Sequence, residues 1–300
     1  MEERERDEGK PNPGALPADI GDTPLAMPAS GTEGTGAIEA PVQIRTEGLG
    51  KAFGDKWAVK GLDLEVRAGE FFGFLGPNGS GKSTTIGMLT TLLLPTEGTM
   101  QVAGCDVQTD PLEVKKRIGV LPEEIHTYER LTVWELVQFS GRIRGLPKAV
   151  VRDRGTELLD LLEIARVDHK KLVLDCSMGM RKKVVLTCAL MHKPQVLFLD
   201  EPFNGIDARA SLTIRHILSQ LVGSGTTIFF SSHILEIVEK LCTRIAILNE
   251  GQLIVAGTVP ELAIQTGLPG DSGLDEVFLS LVGGSDGDTP DLPWLSSSSS

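Results

Sequence analysis

The run Glu70-Phe71-Phe72-Gly73-Phe74-Leu75-Gly76-Pro77-Asn78-Gly79-Ser80-Gly81-Lys82-Ser83 is an apolar strand pattern that stops abruptly in a glycine-rich turn. Gly76 to Ser83 satisfies the phosphate-binding pattern GxxxxGK[ST], set between a strand at Glu70 to Leu75 and a helix opening at Lys82, the context in which that pattern has chemical meaning. Its glycines let successive backbone N–H groups curl around phosphate oxygens, and the helix N-terminus adds partial positive charge at the same place. Gly76, Pro77, Asn78, Gly79, Ser80, Gly81, Lys82, Ser83 and Thr84 are therefore the candidate phosphate-binding residues. Lys82 is suited to reach the β and γ phosphates of a nucleotide, and the Ser83 hydroxyl to ligate Mg²⁺.

Working outward, Val196-Leu197-Phe198-Leu199-Asp200-Glu201 is four apolar residues followed by two carboxylates. On a buried strand the apolar run would fix the pair at the C-terminal end, where open α/β sheets place their ligands. Asp200 is suited to hold Mg²⁺, and Glu201 to accept a proton from an attacking water. Val42 to Glu47, Leu62 to Val66, Ile118 to Leu121, Thr227 to Ser231 and Arg244 to Leu248 also read as strands, and amphipathic stretches separate most of them. That alternation predicts an α/β domain with a mostly parallel sheet. From about Thr132 to Met191 strand signals vanish and helix patterns dominate, as in Val150 to Ile164, which predicts a helical insertion at about residues 130–193.

The chain of 300 residues is 41% hydrophobic, enough for a sizeable core. Its net charge of -12 is uneven: residues 1–42 carry a net -6 and residues 284–300 a net -3. The body between lacks a dominant basic field, which argues against nucleic acid as a partner. Both ends are rich in Gly, Pro, Ser and acidic residues and are expected to be disordered, flanking a domain at residues 43–283. Cys105, Cys176, Cys188 and Cys242 lie far apart without CxxC pairing and read as buried small hydrophobes in a reducing compartment. No segment reaches the roughly 18 apolar residues that span a bilayer, and no secretory leader is evident at Met1 to Lys10.

The phosphate loop, Asp200-Glu201, Ser177-Met178-Gly179-Met180 and Ser232-His233 occur in the order and approximate spacing of an ABC ATPase cassette, and the resemblance covers roughly residues 43–283. Phe74 to Asn78, Ser231 to Glu236 and Leu274 to Leu279 are most similar to cassettes of the drug, antibiotic or sodium export kind. The resemblance implies a P-loop NTPase with a mostly parallel core sheet, an antiparallel β subdomain and an inserted α-helical subdomain. It implies ATP and Mg²⁺ as cofactors, a second cassette subunit, and an integral membrane permease served from the cytoplasmic face. Residue by residue, it places Phe53 as the ring stacking on adenine, with Trp57 as rival. Ser177 and Gly179 would act on the nucleotide of the partner cassette, from a helix opening at about Met180. His233 would contact the γ phosphate and help orient water, and Asp207 would lie in the loop that communicates across the pair.

Three positions depart from the family pattern. Met178 stands where a second glycine is usual, Glu123 stands where Gln is usual and is the third candidate for the metal, and Cys176 replaces a leading Leu. Arg181-Lys182-Lys183 reads as a solvated helix face. The rival functions are a non-transport ABC ATPase, an ATP-binding regulatory module and a small-molecule kinase. The kinase would have no use for Ser177, Gly179 or His233, and the regulatory module none for Glu201.

Overall fold

The structure, a computed structural model, describes residues 40–283. The expectations for the acidic stretch up to residue 39 and for residues 284–300 lie outside the described residues.

The chain opens with a long hairpin, β1 (Val42–Phe53) and β2 (Lys56–Arg67), and then enters the core as β3 (Phe71–Leu75). Helix α1 (Lys82–Leu89) leads to β4 (Glu97–Val102) and the short β5 (Cys105–Asp106), followed by α2 (Pro111–Arg117) and β6 (Ile118–Leu121). Between β6 and β7 (Val196–Asp200) stand α3 (Val133–Ile143), α4 (Lys148–Leu161), two 3-10 turns, and α5 (Met178–Leu190). The remainder is α6 (Ala208–Gly223), β8 (Thr227–Ser232), α7 (Leu235–Leu241), β9 (Arg244–Asn249), β10 (Gln252–Gly257), α8 (Val259–Gln265) and α9 (Leu274–Val282).

These strands make two sheets, a four-stranded one of order β2-β1-β4-β5 and a six-stranded one of order β10-β9-β3-β8-β7-β6. The first is antiparallel; in the second, β9, β3, β8, β7 and β6 run parallel and only β10 is reversed. The fold is thus the expected one, a mostly parallel core with an antiparallel sheet and a helical insertion.

The alternation of strand side chains divides the core. Phe72, Phe74, Phe198, Phe229, Ala246 and Leu248 point to one face, where they meet the antiparallel sheet and Ile86, Met88 and Leu89 of α1. Phe71, Leu75, Leu197, Leu199, Phe230 and Ile247 point to the other, under α6, α7, α8 and α9. Phe72 stacks on Phe229 at 5.6 Å between ring centres. Each fully buried Phe contributes on the order of 2 kcal/mol by transfer from water. A third cluster, built from Val133, Val137, Leu159, Val173 and Val184, holds the helical insertion together. A capping box sets the start of α3, with Thr132 accepting from the Glu135 N–H and the Glu135 carboxylate accepting from Thr132.

Two expectations need correction. Strands β4 and β10 escaped the sequence pattern, because β4 buries only Met100 and Val102 and β10 fully buries only Gly257. Of the four cysteines, all free thiols, only Cys176 is buried; Cys105, Cys188 and Cys242 are half-buried.

Candidate functional site

Parallel pairing sends the C-terminal ends of β3, β6, β7 and β8 to the same edge of the core sheet. The loops leaving these ends carry the phosphate loop, Glu123, Glu201 and His233. They open on a cavity of about 590 Å³ lined by Lys82, Ser83, Glu123, Asp200, Glu201 and His233, with Asn78, Gly79, Gly81 and Thr84 on the phosphate-loop side. Residues 150 positions apart in the chain are brought together by strand order alone.

The phosphate loop is shaped by its glycines. Gly81 has φ of +102°, and a Cβ there would run into the carbonyl oxygen of Ala58. Gly81 is also the N-cap of α1 and supplies no side-chain cap, and the first turn carries no acidic residue. The leading amides of α1 therefore keep their capacity to bind an anion. Lys82 is buried, and its ammonium donates to the carbonyls of Gly76 at 2.8 Å and Pro77 at 3.1 Å. Burial pushes its pKa below the usual lysine range, while the charges of Glu201, Asp200 and Glu123 draw it back up. The Ser80 hydroxyl is buried without a hydrogen-bond partner among the described residues.

Asp200 and Ser231 are register partners on β7 and β8, and the Ser231 hydroxyl donates to Asp200 Oδ1. Beside them Glu201, only 5% exposed, adopts φ of +46°, a left-handed conformation rare for a residue with a side chain. Its Oε1 lies 2.8 Å from His233 Nδ1. A carboxylate oxygen accepts here, so it is Nδ1 that donates in this contact. Ser83, Asp200 and Glu123 offer hard oxygen donors to one cavity, the donor type that suits Mg²⁺. Among the described residues no three His, Cys, Asp or Glu side chains gather into a metal cage.

At the other end of the cavity, Phe53 and Trp57 flank the tip of the β1–β2 hairpin, and both line the wall. Phe53 is 53% exposed, and the ammonium of Lys51 sits 5.2 Å from its ring centre. Lys56 and Asn204 line the same cavity and were not singled out from sequence.

Ser177, Gly179 and Asp207 do not join this group. They line a separate concavity with Met178 and Gly205. Ser177 caps α5 by accepting from the Met180 N–H, so the helix opens at Met178, two residues earlier than expected. Met178 takes helical backbone there with its side chain exposed, so a glycine is not required at that position. Asp207 caps α6, and the Ala210 N–H it accepts holds its carboxyl below the usual range.

The Arg181-Lys182-Lys183 run, expected to be a solvated helix face, is buried at Lys182 and half-buried on either side. Arg181 donates to the carbonyls of Cys176 and Leu174, and Lys182 is 2% exposed, with its ammonium 2.7 Å from the Glu201 main-chain oxygen. The available signal was helical spacing: Lys182 lies four residues before Leu186 and seven before Ala189, on the buried stripe of α5.

Comparison with known proteins agrees with this geometry. Residues 59–204 match the family described as ABC transporter. The chain is 37% identical over 246 residues to the linearmycin resistance ATP-binding protein LnrL of Bacillus subtilis (strain 168), covering 80% of this chain and 78% of that protein. It is 40% identical over 224 residues to the daunorubicin/doxorubicin resistance ATP-binding protein DrrA of Streptomyces peucetius, covering 75% and 68%. A solved ATP-binding subunit of an ABC transporter superposes with a TM-score of 0.76 at 28% identity, over 80% of this chain and 99% of that one. With the phosphate loop, the carboxylate pair and the histidine converging on one cavity of this fold, the chain belongs to the ABC transporter family, as one of its ATP-binding, ATP-hydrolysing subunits.

Proposed function

We propose that the chain drives export of a small molecule by a separate integral membrane permease, which it serves as a peripheral subunit on the cytoplasmic face. The names of its relatives, both tied to antibiotic resistance, support export. No helix among the described residues is long and apolar enough to cross a membrane, so the translocation path falls to the partner.

The observation that carries the reading is the convergence of Lys82, Asp200, Glu201 and His233 on one cavity. In the proposed cycle the phosphate-loop amides and Lys82 grip the β and γ phosphates, and Phe53 stacks on adenine, with Trp57 beside it as the alternative ring. Ser83 and Asp200 would hold Mg²⁺, with Glu123 as the third candidate ligand; when bound, the ion offsets charge on the transferring phosphoryl group. Glu201 accepts a proton from the attacking water, and His233, hydrogen-bonded to it, orients that water against the γ phosphate. Ser177 and Gly179 act in trans on the nucleotide of a second cassette, and the loop at Asp207 couples the two. Differential binding of ATP to open and closed pairs supplies the free energy for the conformational change.

Calorimetry of Lys82→Ala tests the grip: a loss of ATP affinity of about tenfold or more is expected from removing a charged hydrogen-bonding group. Unchanged affinity would remove the basis of the assignment. Isolation of the native chain with an integral membrane protein tests the transport role, and persistent isolation without one counts against it.

A further inference from the structure

The catalytic glutamate is held by more than its own strand. The Glu201 main-chain oxygen accepts from Lys182 Nζ at 2.7 Å and from the Asn204 N–H at 3.3 Å, and Pro202 follows, so the next residue contributes no N–H. At φ of +46° the Glu201 peptide is turned into a left-handed conformation that a residue with a side chain keeps only where its surroundings fix it. Lys182 comes from a different element, α5, and reaches the site through the protein interior. An apolar side chain would pack at this buried position without the desolvation cost of an ammonium, and the Asn204 N–H already satisfies one lone pair of the carbonyl. The ammonium therefore supplies something that packing and carbonyl satisfaction do not require.

We propose that Lys182 is a positioning residue of the hydrolytic site, whose ammonium clamps the Glu201 peptide in its left-handed turn and so aims the carboxylate at His233 and the cavity. The inference rests on the reading of Glu201 as proton acceptor. It also makes α5 a connecting rod, since Ser177 caps the start of the helix whose fifth residue holds the catalytic strand end of the same chain. Any displacement of the Ser177 end would be felt at Glu201 in cis.

The test compares steady-state ATP hydrolysis by the full chain, with Mg²⁺, for wild type, Lys182→Met, Lys182→Arg, Glu201→Gln and the Met–Gln double variant. Lys182→Met is expected to lower kcat about tenfold with KM for ATP within about twofold, and Lys182→Arg to recover most of that loss because it keeps a charged donor. In the Glu201→Gln background, Lys182→Met should cost nothing further, since a residue acting through Glu201 has nothing left to position. Wild-type kcat in Lys182→Met, or an undiminished proportional loss in the Gln background, overturns the inference. Wild-type turnover by Glu201→Gln alone would instead overturn the assignment of Glu201, and the inference with it. If thermal unfolding shows the Met variant to be unfolded, Lys182→Gln, with its shorter neutral amide, takes its place in every comparison and is expected to give the same pattern.

Discussion

Glu201 Oε1 and His233 Nδ1 meet at 2.8 Å across the ends of two adjacent parallel strands, although 31 residues separate them in the chain. The carboxylate is buried and the imidazole half exposed, so the pair presents a fixed carboxylate with a ring that faces the cavity. Glu201→Gln is expected to bind ATP near normally and to lose turnover by about 10²- to 10⁴-fold, the range for removing a general base. His233→Ala should lose less, since it leaves the carboxylate in place. Stopped-flow or steady-state phosphate release, with ATP affinity measured alongside, checks both.

A second prediction concerns metal dependence. The Ser231 hydroxyl donates to Asp200 Oδ1 and fixes the orientation of that carboxylate. Outer partners of this kind tune metal affinity by about 10- to 100-fold. Ser231→Ala should therefore raise the Mg²⁺ concentration needed for half-maximal hydrolysis by about tenfold, with saturating Mg²⁺ restoring much of the rate. A titration of activity against Mg²⁺ reads this directly.

Gly81 predicts a folding defect as well as a binding defect. Its φ of +102° and the Ala58 carbonyl oxygen, close to where a Cβ would stand, leave no room for a methyl group. Gly81→Ala is expected to destabilise the fold by about 1 to 3 kcal/mol through left-handed strain and steric displacement. Urea unfolding monitored by circular dichroism gives the magnitude, and ATP affinity should fall with it.

His192 predicts a pH effect remote from the site. Its Nε2 lies 2.9 Å from the Ile118 carbonyl oxygen, while Nδ1 is buried without a partner among the described residues. Burial, reinforced by repulsion from Arg144, lowers its pKa to about 4. The unfolded chain takes up the proton below about pH 6.5, and the folded chain does so only near pH 4. The stability contributed by neutral His192 is thus complete above pH 6.5 and is lost as the pH falls from there to about 4. Allowing for partial exposure, the loss is on the order of 2 kcal/mol. His192→Gln, which keeps a donor for Ile118, should flatten that part of the stability curve in denaturant titrations from pH 7 to pH 4.

The legible parts of this chain were those where residue type and spacing jointly demand one chemistry. The phosphate loop is readable because glycines, a lysine and a hydroxyl must stand at fixed intervals between a strand and a helix. Strands β3, β6, β7 and β8 are readable because burial on both faces leaves unbroken apolar runs. β4 was not, since it buries only Met100 and Val102 on one face of the antiparallel sheet and so shows no apolar run. Ser231 and Lys182 were missed for a different reason. Their roles depend on which strand lies next to which, and on one helix passing beneath the end of β7, relationships that no local pattern encodes. A basic run at a helix start is ordinarily solvated, and only the spacing to Leu186 distinguishes its middle member.

The concavity holding Ser177 and Gly179 is not the cavity holding Lys82. A solitary copy on the proposed mechanism then owns two unmatched halves, a cradle without its lid and a lid without its cradle. The specific rate of such a protein rises with its own concentration, and in dilute solution the velocity scales with the square of the amount added. In a mixed pair with a copy disabled at Ser177, the normal cradle would meet the defective lid while the normal lid still covers the disabled copy's cradle, leaving one competent site in the pair.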